Sequence, residues 1–396
     1  MSLRRVLALV AAVSSSAVAA QTQAPVIAAP TQVPMSAADL LEGYYDQLAR
    51  QIDLPEAPAG RLLGAETAIT RFAFGSCLQQ RNDQAIWNTI AARRPQMFMM
   101  IGDNVYGDTN WAGDAELGTL RAAYATLAAA PEFAAFRTQV PMLATWDDHD
   151  YGLNDAGRDF AFKGWAERIF ENFWGASEAV RGRPGIYESR IYGPQGRRVQ
   201  VILLDTRSFR SPLVRAQVAP GERPPLGPYA TDLSAEADML GTEQWAWLEQ
   251  ELKKPADLRL VVSSIQVLTD AHNFEAWETM PGQRDKLYGM LAQRNGGGVL
   301  LLSGDRHAGG IYRDAPPSLG GETLWEITSS SMNLPFTDTS TNTAREPDPK
   351  RVTDFISEEN FGLVDIDWQR RELRLALHGK AGEVRATQTV RWTPPR

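Results

Sequence analysis

One arrangement recurs along this chain and restricts its fold more than any other feature: a short apolar run, a break, and a polar residue directly after it. "RFAF" leads into Gly75-Ser76-Cys77, "QMFMMI" into Gly102-Asp103-Asn104, and "PMLAT" into Trp146-Asp147-Asp148-His149. Further on, "VQVILL" precedes Asp205, "LRLVVSS" precedes Gln266, "GVLLL" precedes Ser303-Gly304-Asp305-Arg306-His307, and "LWEI" precedes Thr328-Ser329-Ser330. Helical stretches such as "NDQAIWNTIAARR" and "GTEQWAWLEQELKK" separate several of these runs. Buried strands alternating with helices predict an α/β domain, and in such sheets sites gather outside the carboxyl ends of the strands. The polar residues fall where that site belongs.

The rest of the chain frames this domain. Its 396 residues, 43% of them hydrophobic, suffice for a large enzyme core. Beyond residue 360 the pattern changes to alternation, so "FGLVDIDW", "RELRLALHG" and "EVRATQTVRW" read as three antiparallel strands at an edge or in a second sheet. Upstream, "SAADLLEGYYDQLARQI" spaces Leu40, Leu41, Tyr44, Tyr45, Leu48 and Ile52 as in a helix, with Ser36 as its cap. The long polar stretch 334–351 is expected to cover the site. Residues 1–20 have a basic start (Arg4, Arg5), an apolar middle and the small-residue end "AVAA", which is the form of an export signal. The arginine pair leaves twin-arginine export and ordinary secretion both open. The expected organisation is a signal over 1–20, a lead-in and helix over 21–66, and a catalytic domain over 67–396, exported to the periplasm or secreted. No other apolar run approaches the length of a transmembrane segment. A net charge of −8 without any Lys/Arg cluster argues against an electrostatic grip on nucleic acid. A single cysteine, Cys77, leaves no intrachain disulfide.

Three strand-end loops and that cysteine carry the chemistry. In "GDNVYGD", Asp103 offers a carboxylate and Tyr106 a phenolate, a ligand suited to a hard cation such as Fe³⁺; the plainer reading is a turn cap and a packed ring. In "WDDHDYGLND", Asp147, Asp148, Asp150 and Asp155 crowd around His149 and Asn154, and crowded carboxylates repel unless they are solvated or neutralised. A solvated acidic loop is the alternative, but Trp146 and the preceding strand bury the start of this run, where uncompensated charge is costly. In "SGDRHAG", Asp305 and His307 are two apart and face one side while Arg306 points elsewhere. Cys77 stands in the crevice position after the first strand, as a ligand or as a small buried hydrophobe.

In this order, "FGSC", "GDNVYGD", "WDDHDYGLNDAG", "LDTRSFR", "LGTEQWAWLEQEL" and "SGDRHAG" resemble the PhoD-like branch of the calcineurin-like metallophosphoesterases, over roughly residues 70 to 380. The resemblance implies two mixed β-sheets in a sandwich flanked by helices, and a multinuclear centre of Fe³⁺ and Ca²⁺, with Mn²⁺ and Zn²⁺ as alternatives. It assigns Cys77, Asp103, Tyr106 and His307 to the iron-like ion, with Asp103 bridging to a second ion that also touches Asp148 and Asp305; Asp147 is the alternative to Asp148. His149 takes the place near the leaving group, and Asn154 joins the second ion or contacts phosphate. The wider superfamily's mid-chain histidine ligand is replaced by Gln266, which favours Ca²⁺ over Zn²⁺. The implied activity is hydrolysis of small-molecule phosphate esters by metal-activated water attacking in line at phosphorus. A phospholipid-directed phosphodiesterase and a non-catalytic metal- or phosphate-binding protein are the alternatives. His272 is a second proton-donor candidate or an exposed loop residue; Arg207 and Arg284 read as structural ion pairs before substrate contacts. A serine-hydrolase reading fails, as the chain has no Gly-x-Ser-x-Gly elbow.

Overall fold

Phe72, Phe74, Met99 and Ile101 point to one side of their strands, Ala73, Phe98 and Met100 to the other, and all are buried. A sheet covered on both faces is what continuous apolar strands require. The computed structural model describes residues 36–221, 225–336 and 344–392; the expected export signal and the lead-in through residue 35 lie outside them. Along the chain run strands β1 (Arg71–Gly75), β2 (Phe98–Ile101), β3 (Met142–Thr145), β4 (Glu188–Tyr192), β5 (Val199–Leu203), β6 (Leu258–Val262), β7 (Gly298–Ser303), β8 (Gly310–Asp314), β9 (Leu324–Thr328), β10 (Asn360–Asp367), β11 (Glu372–Gly379) and β12 (Val384–Arg391). The helices are α1 (Ala37–Leu48), α2 (Ile86–Ala92), α3 (Gly118–Ala128), α4 (Pro131–Gln139), α5 (Asp148–Tyr151), α6 (Lys163–Trp174), α7 (Glu178–Arg181), α8 (Gly241–Lys253) and α9 (Pro281–Ala292).

The strands form two six-stranded mixed sheets, in the orders β12-β11-β10-β1-β2-β3 and β4-β5-β6-β7-β9-β8. β1, β2 and β3 are parallel, as are β5, β6, β7 and β9, so the carboxyl ends of each parallel set open on one side. The inner faces meet in one core: Phe72, Phe74, Met99 and Ile101 pack with Val201, Leu203, Leu260, Val262, Leu300 and Leu302. Helices cover the outer face of the first sheet through Trp87, Phe133, Phe136 and Phe170. Trp245, Leu248, Leu287 and Leu291 from α8 and α9 cover the second. The α/β alternation is thus what the sequence pattern predicts, and the two-sheet sandwich flanked by helices is what the resemblance implies.

Two expectations need refinement. The C-terminal meander is the edge of the first sheet, joined where β10 runs antiparallel to β1 with Phe72 opposite Val364 and Phe74 opposite Gly362. Helix α1 starts as expected, with Ser36 Oγ accepting from the Asp39 amide at 3.1 Å and Asp39 Oδ2 accepting from the Ser36 amide at 2.9 Å. It ends at Leu48, however, and only Tyr45 and Leu48 are buried, while Leu40 and Tyr44 are 64% and 40% exposed. The stripe that meets α6 runs through Leu41, Tyr45 and Leu48, with Tyr45 stacked on Trp165 at 5.3 Å. Residues one position off that line face solvent. Strands β4 and β8 carry charged residues in short polar surroundings and escaped the apolar-run signal.

Among the described residues, no helix is long and apolar enough to cross a membrane. At the β1–β10 junction a Cβ on Gly362 would lie 2.1 Å from Cε1 of Phe74. Gly362→Ala is therefore expected to lower unfolding free energy by about 1–3 kcal/mol through overpacking, read by urea unfolding; unchanged stability would mean the Phe74 ring is free to shift.

Candidate metal centre

The strand ends are bent sharply to aim their side chains. Cys77, Asp103, Asp305 and His307 all have left-handed backbones, with φ of 55°, 48°, 62° and 52°. Non-glycine residues take this conformation at a cost and only where surrounding contacts enforce it, a combination that gathers at functional sites. Gly102, at φ 116°, lets the β2 loop turn and lets the β3 loop come close; a Cβ there would sit 2.7 Å from the Cβ of Asp147. The two sheets touch at this end through a bridge between Ser76 and Ser330.

Asp103 is the shared member of the arrangement. On one side the Cys77 thiol donates to Asp103 Oδ2 at 3.3 Å and the Tyr106 hydroxyl to the same oxygen at 3.2 Å. Tyr106 Oη also lies 3.2 Å from His307 Nε2. His307 Nδ1 faces the Leu334 carbonyl, so Nδ1 carries the proton and Nε2 presents a lone pair to the crevice. On the other side, Asp103, Asp147, Asp148 and Asp305 offer oxygens within 4.8 Å of one another, as do the donor atoms of Cys77, Asp103 and His307. The six residues expected to hold metal thus converge from four strand-end loops.

Asp147 and Asp148 divide their duties. Asp147 Oδ1 accepts from Arg207 Nε at 2.7 Å and Ser264 Oγ at 2.6 Å, while its Oδ2, though buried, has no partner. Asp148 has no ion pair with arginine among the described residues and accepts from the backbone N–H groups of His149 (2.8 Å) and Asp155 (2.7 Å). Arg207 is fully buried between Asp147 and Glu275, with Arg210 also on Glu275 at 2.7 Å. It is a structural ion pair, as is Arg284 with Asp270 at 2.6 Å.

His149 comes to the centre with a partner the sequence reading passed over. Its Nδ1 lies 2.8 Å from Asp108 Oδ1, its ring packs 4.2 Å from that of Tyr106, and its backbone N–H donates to Asp103. Asp108 is the second aspartate of "GDNVYGD", and the repeated Gly-Asp was its only signal. Asn154 touches this pair through its backbone N–H, which donates to Asp108 Oδ2 at 3.0 Å, while the residue itself is exposed. Gln266 does not join the acidic group: its amide donates to Thr328 Oγ1 at 3.0 Å and its carbonyl accepts from His272 Nε2 at 2.9 Å. His272 is buried, not an exposed loop residue, because Phe274 folds back to donate its N–H to Nδ1. Burial first, then Arg306, hold its pKa well below the usual histidine range, so it is a neutral hinge of the loop.

The donor chemistry fits cations. Burial pushes the Asp103 and Asp305 carboxyls well above the ordinary carboxylate range, and neighbouring aspartates add to it; for Asp103 the His149 charge acts against it. Burial likewise raises Asp147 to about 7 against the pull of Arg207. Cys77 and Tyr106 are raised by burial and by Asp103. The raised values mean that the anionic forms of these donors call for compensating positive charge in this crevice. Cys77, Asp103, Tyr106 and His307 make a mixed S/O/N set with a phenol; Asp103, Asp148, Asp305 and the free oxygen of Asp147 make an all-oxygen set.

The fold and crevice define an α/β two-sheet sandwich with a candidate metal centre at its strand ends. The sequence pattern of the PhoD-like phosphatases matches residues 176–377, and the chain belongs to that family. Asp305 and His307 lie inside the matched stretch; Cys77, Asp103, Tyr106, Asp148, His149 and Asn154 precede it. Alkaline phosphatase D of Bacillus subtilis (strain 168) is 24% identical over 291 residues, covering 62% of this chain and 47% of that protein. The chain thus spans about half the length of this curated relative. The solved structure of PhoD superposes with a TM-score of 0.61 at 18% identity, over 86% of this chain and 74% of that one, a likeness of fold.

Removing Arg207 would leave Asp147 and Glu275 buried without their shared cation. Arg207→Ala is expected to destabilise the protein by about 3–5 kcal/mol, measured by denaturant unfolding; a loss below about 1 kcal/mol would show water reaching the pair.

Proposed function

We propose that this protein is an exported, metal-dependent hydrolase of small-molecule phosphoric esters, acting on monoesters and diesters. The observation that carries the reading is the placement of Asp103 between the Cys77, Tyr106 and His307 donors and the Asp148 and Asp305 carboxylates. A carboxylate in that position would be shared between the two donor sets when both hold a cation. The mixed set with its phenol favours Fe³⁺, and the all-oxygen set favours Ca²⁺, with Mn²⁺ and Zn²⁺ as competing occupants. Bound there, such cations lower the pKa of water and draw charge from phosphoryl oxygens. The family membership and the relative named alkaline phosphatase D support the phosphate ester as substrate. The basic, apolar and small-residue order of residues 1–20 supports export to the periplasm or beyond.

The chain's own groups account for the proton. Burial opposes charge on His149, but Asp148, Asp103 and the hydrogen bond to Asp108 outweigh it and push the imidazole up to about 11. Cations among the carboxylates would pull that value down, because they offset the same aspartates. Asp108 on Nδ1 leaves Nε2 to hand a proton to the departing ester oxygen. The exposure of Asn154 beside Asp108 supports a contact with the phosphate or the ester group rather than with the ions.

Aryl phosphate monoesters and diesters, assayed alongside elemental analysis of the purified protein, test the reading. Turnover that a chelator abolishes and metal restores is expected; tight phosphate binding without turnover of any ester would overturn it. A visible tyrosinate-to-Fe³⁺ band absent from Tyr106→Phe is the expected signature of the first ion, and a protein carrying only Zn²⁺ would refute that assignment. Asp108→Asn should cut kcat by about 10- to 100-fold on alkyl esters, whose leaving oxygen needs a proton, and far less on nitrophenyl esters. Equal losses on both would remove His149 from the acid role.

A further inference from the structure

Arg306 sits between two donors of the centre yet turns its back on it. Its guanidinium, 4% exposed, lies over the rings of Phe274, Phe336 and Phe355 at 4.7, 5.4 and 5.7 Å and pairs with the fully buried carboxylate of Glu346. Glu346 belongs to the polar stretch 334–351, whose residues 337–343 lie outside the described residues. On the near side of that gap, the Phe336 N–H donates to the His307 carbonyl at 3.1 Å and its ring packs 5.1 Å from the imidazole. On the far side, Arg351 donates to the Glu346 carbonyl at 2.6 Å, and residues beyond it run along β8, with Val352 donating to Ile311 and Ile356 to Gly309.

The Asp305–Arg306–His307 turn therefore has one side chain anchored outward and two aimed inward. Its inward members, Asp305 and His307, are the ones with left-handed backbones. Two such residues in three persist only if something outside the turn holds it. Hydrogen bonds of the His307 N–H to Ser330 Oγ (2.7 Å) and of His307 Nδ1 to Leu334 hold one half. The geometry points to Glu346 as a positioning residue that holds the other: by fixing Arg306 among the three rings, it keeps Asp305 and His307 facing the ions. This inference rests on the metal-centre reading above. A charged anchor suits the task because the planar guanidinium accepts rings on its faces and a carboxylate on its edge, which sets its orientation as an aliphatic contact would not.

The test is iron affinity of the full chain, titrated from the metal-free state against a competing chelator and followed by the tyrosinate-to-Fe³⁺ band. Glu346→Gln is expected to weaken that affinity by about 10- to 100-fold, the range for partners that orient a metal ligand, and to lower kcat with KM nearly unchanged. To keep the test independent of the folding of that variant, the paired replacement Arg306→Met with Glu346→Leu fills the same space with apolar groups, a swap that commonly preserves stability, while Arg351, whose guanidinium also faces the Glu346 carboxylate at 3.7 Å, keeps its bond to the backbone carbonyl there. It should fold, by its circular dichroism and melting temperature, and still bind iron more weakly. Wild-type affinity in the folded pair would overturn the role of Glu346 alone. A wild-type protein that develops no band would instead defeat the iron reading on which it stands.

Discussion

Asp103, Asp147 and Asp148 lie buried and Asp305 half-buried within reach of one another, and the repulsion among them conditions the rest of the structure. Two like charges at this separation interact with an energy on the order of 3–4 kcal/mol even at an effective dielectric of 20. Among the described residues the one arginine paired with this group, Arg207, is shared with Glu275 and touches Asp147 only. Burial and this repulsion raise the Asp103 and Asp305 carboxyls well above the ordinary range, and cations would relieve the charge without neutralising the ligands. A crevice that only holds such carboxylates together gains nothing for stability; its cost makes sense as preparation for charged occupants.

The two-sheet sandwich supplies the rigidity that this crowding demands. Phe72 and Phe74 of one sheet interlock with aliphatic residues of the other, and the contact of Ser76 with Ser330 joins the carboxyl ends beyond that core. Each donor stands two to five residues past a strand, so little chain remains to relax away. The strain of four left-handed residues is spread over loops whose roots are fixed in a close-packed interior. Around the donors a second layer sets orientation: Leu334 on His307, Asp108 on His149, Arg207 and Ser264 on Asp147, and Glu346 on Arg306.

Much of this was legible in the order of residues. Apolar runs ending in Gly-Ser-Cys, Gly-Asp and Gly-Asp-Arg-His announce strands whose ends carry chemistry, since a buried parallel strand needs no alternation and its carboxyl end faces the crevice. Cys77, Asp103, Tyr106, the Asp147–Asp148 pair, Asp305 and His307 could be singled out on that basis, and the family resemblance assigned them to ions. The β4 and β8 strands could not, because edge strands with charged residues look like loops in one dimension. Leu40 and Tyr44 were misjudged for a related reason: helical spacing marks a face, and a neighbour decides how wide a stripe of it is covered.

Chain order alone determined the α/β alternation, the strand-end placement of the donors and the residue types available to a cation, because these follow from local periodicity and side-chain chemistry. Only the tertiary structure decided which oxygen of which aspartate is left free. Asp147 and Asp148 are neighbours in sequence and chemically identical, yet Arg207, sixty positions away, reaches one and not the other. It decided likewise that Asp108 serves His149, that His272 is a buried hinge held by Gln266, and that Arg306 faces outward to Glu346. Partner choice of this kind is set by distances across the fold, and those do not exist until the two sheets have closed on each other.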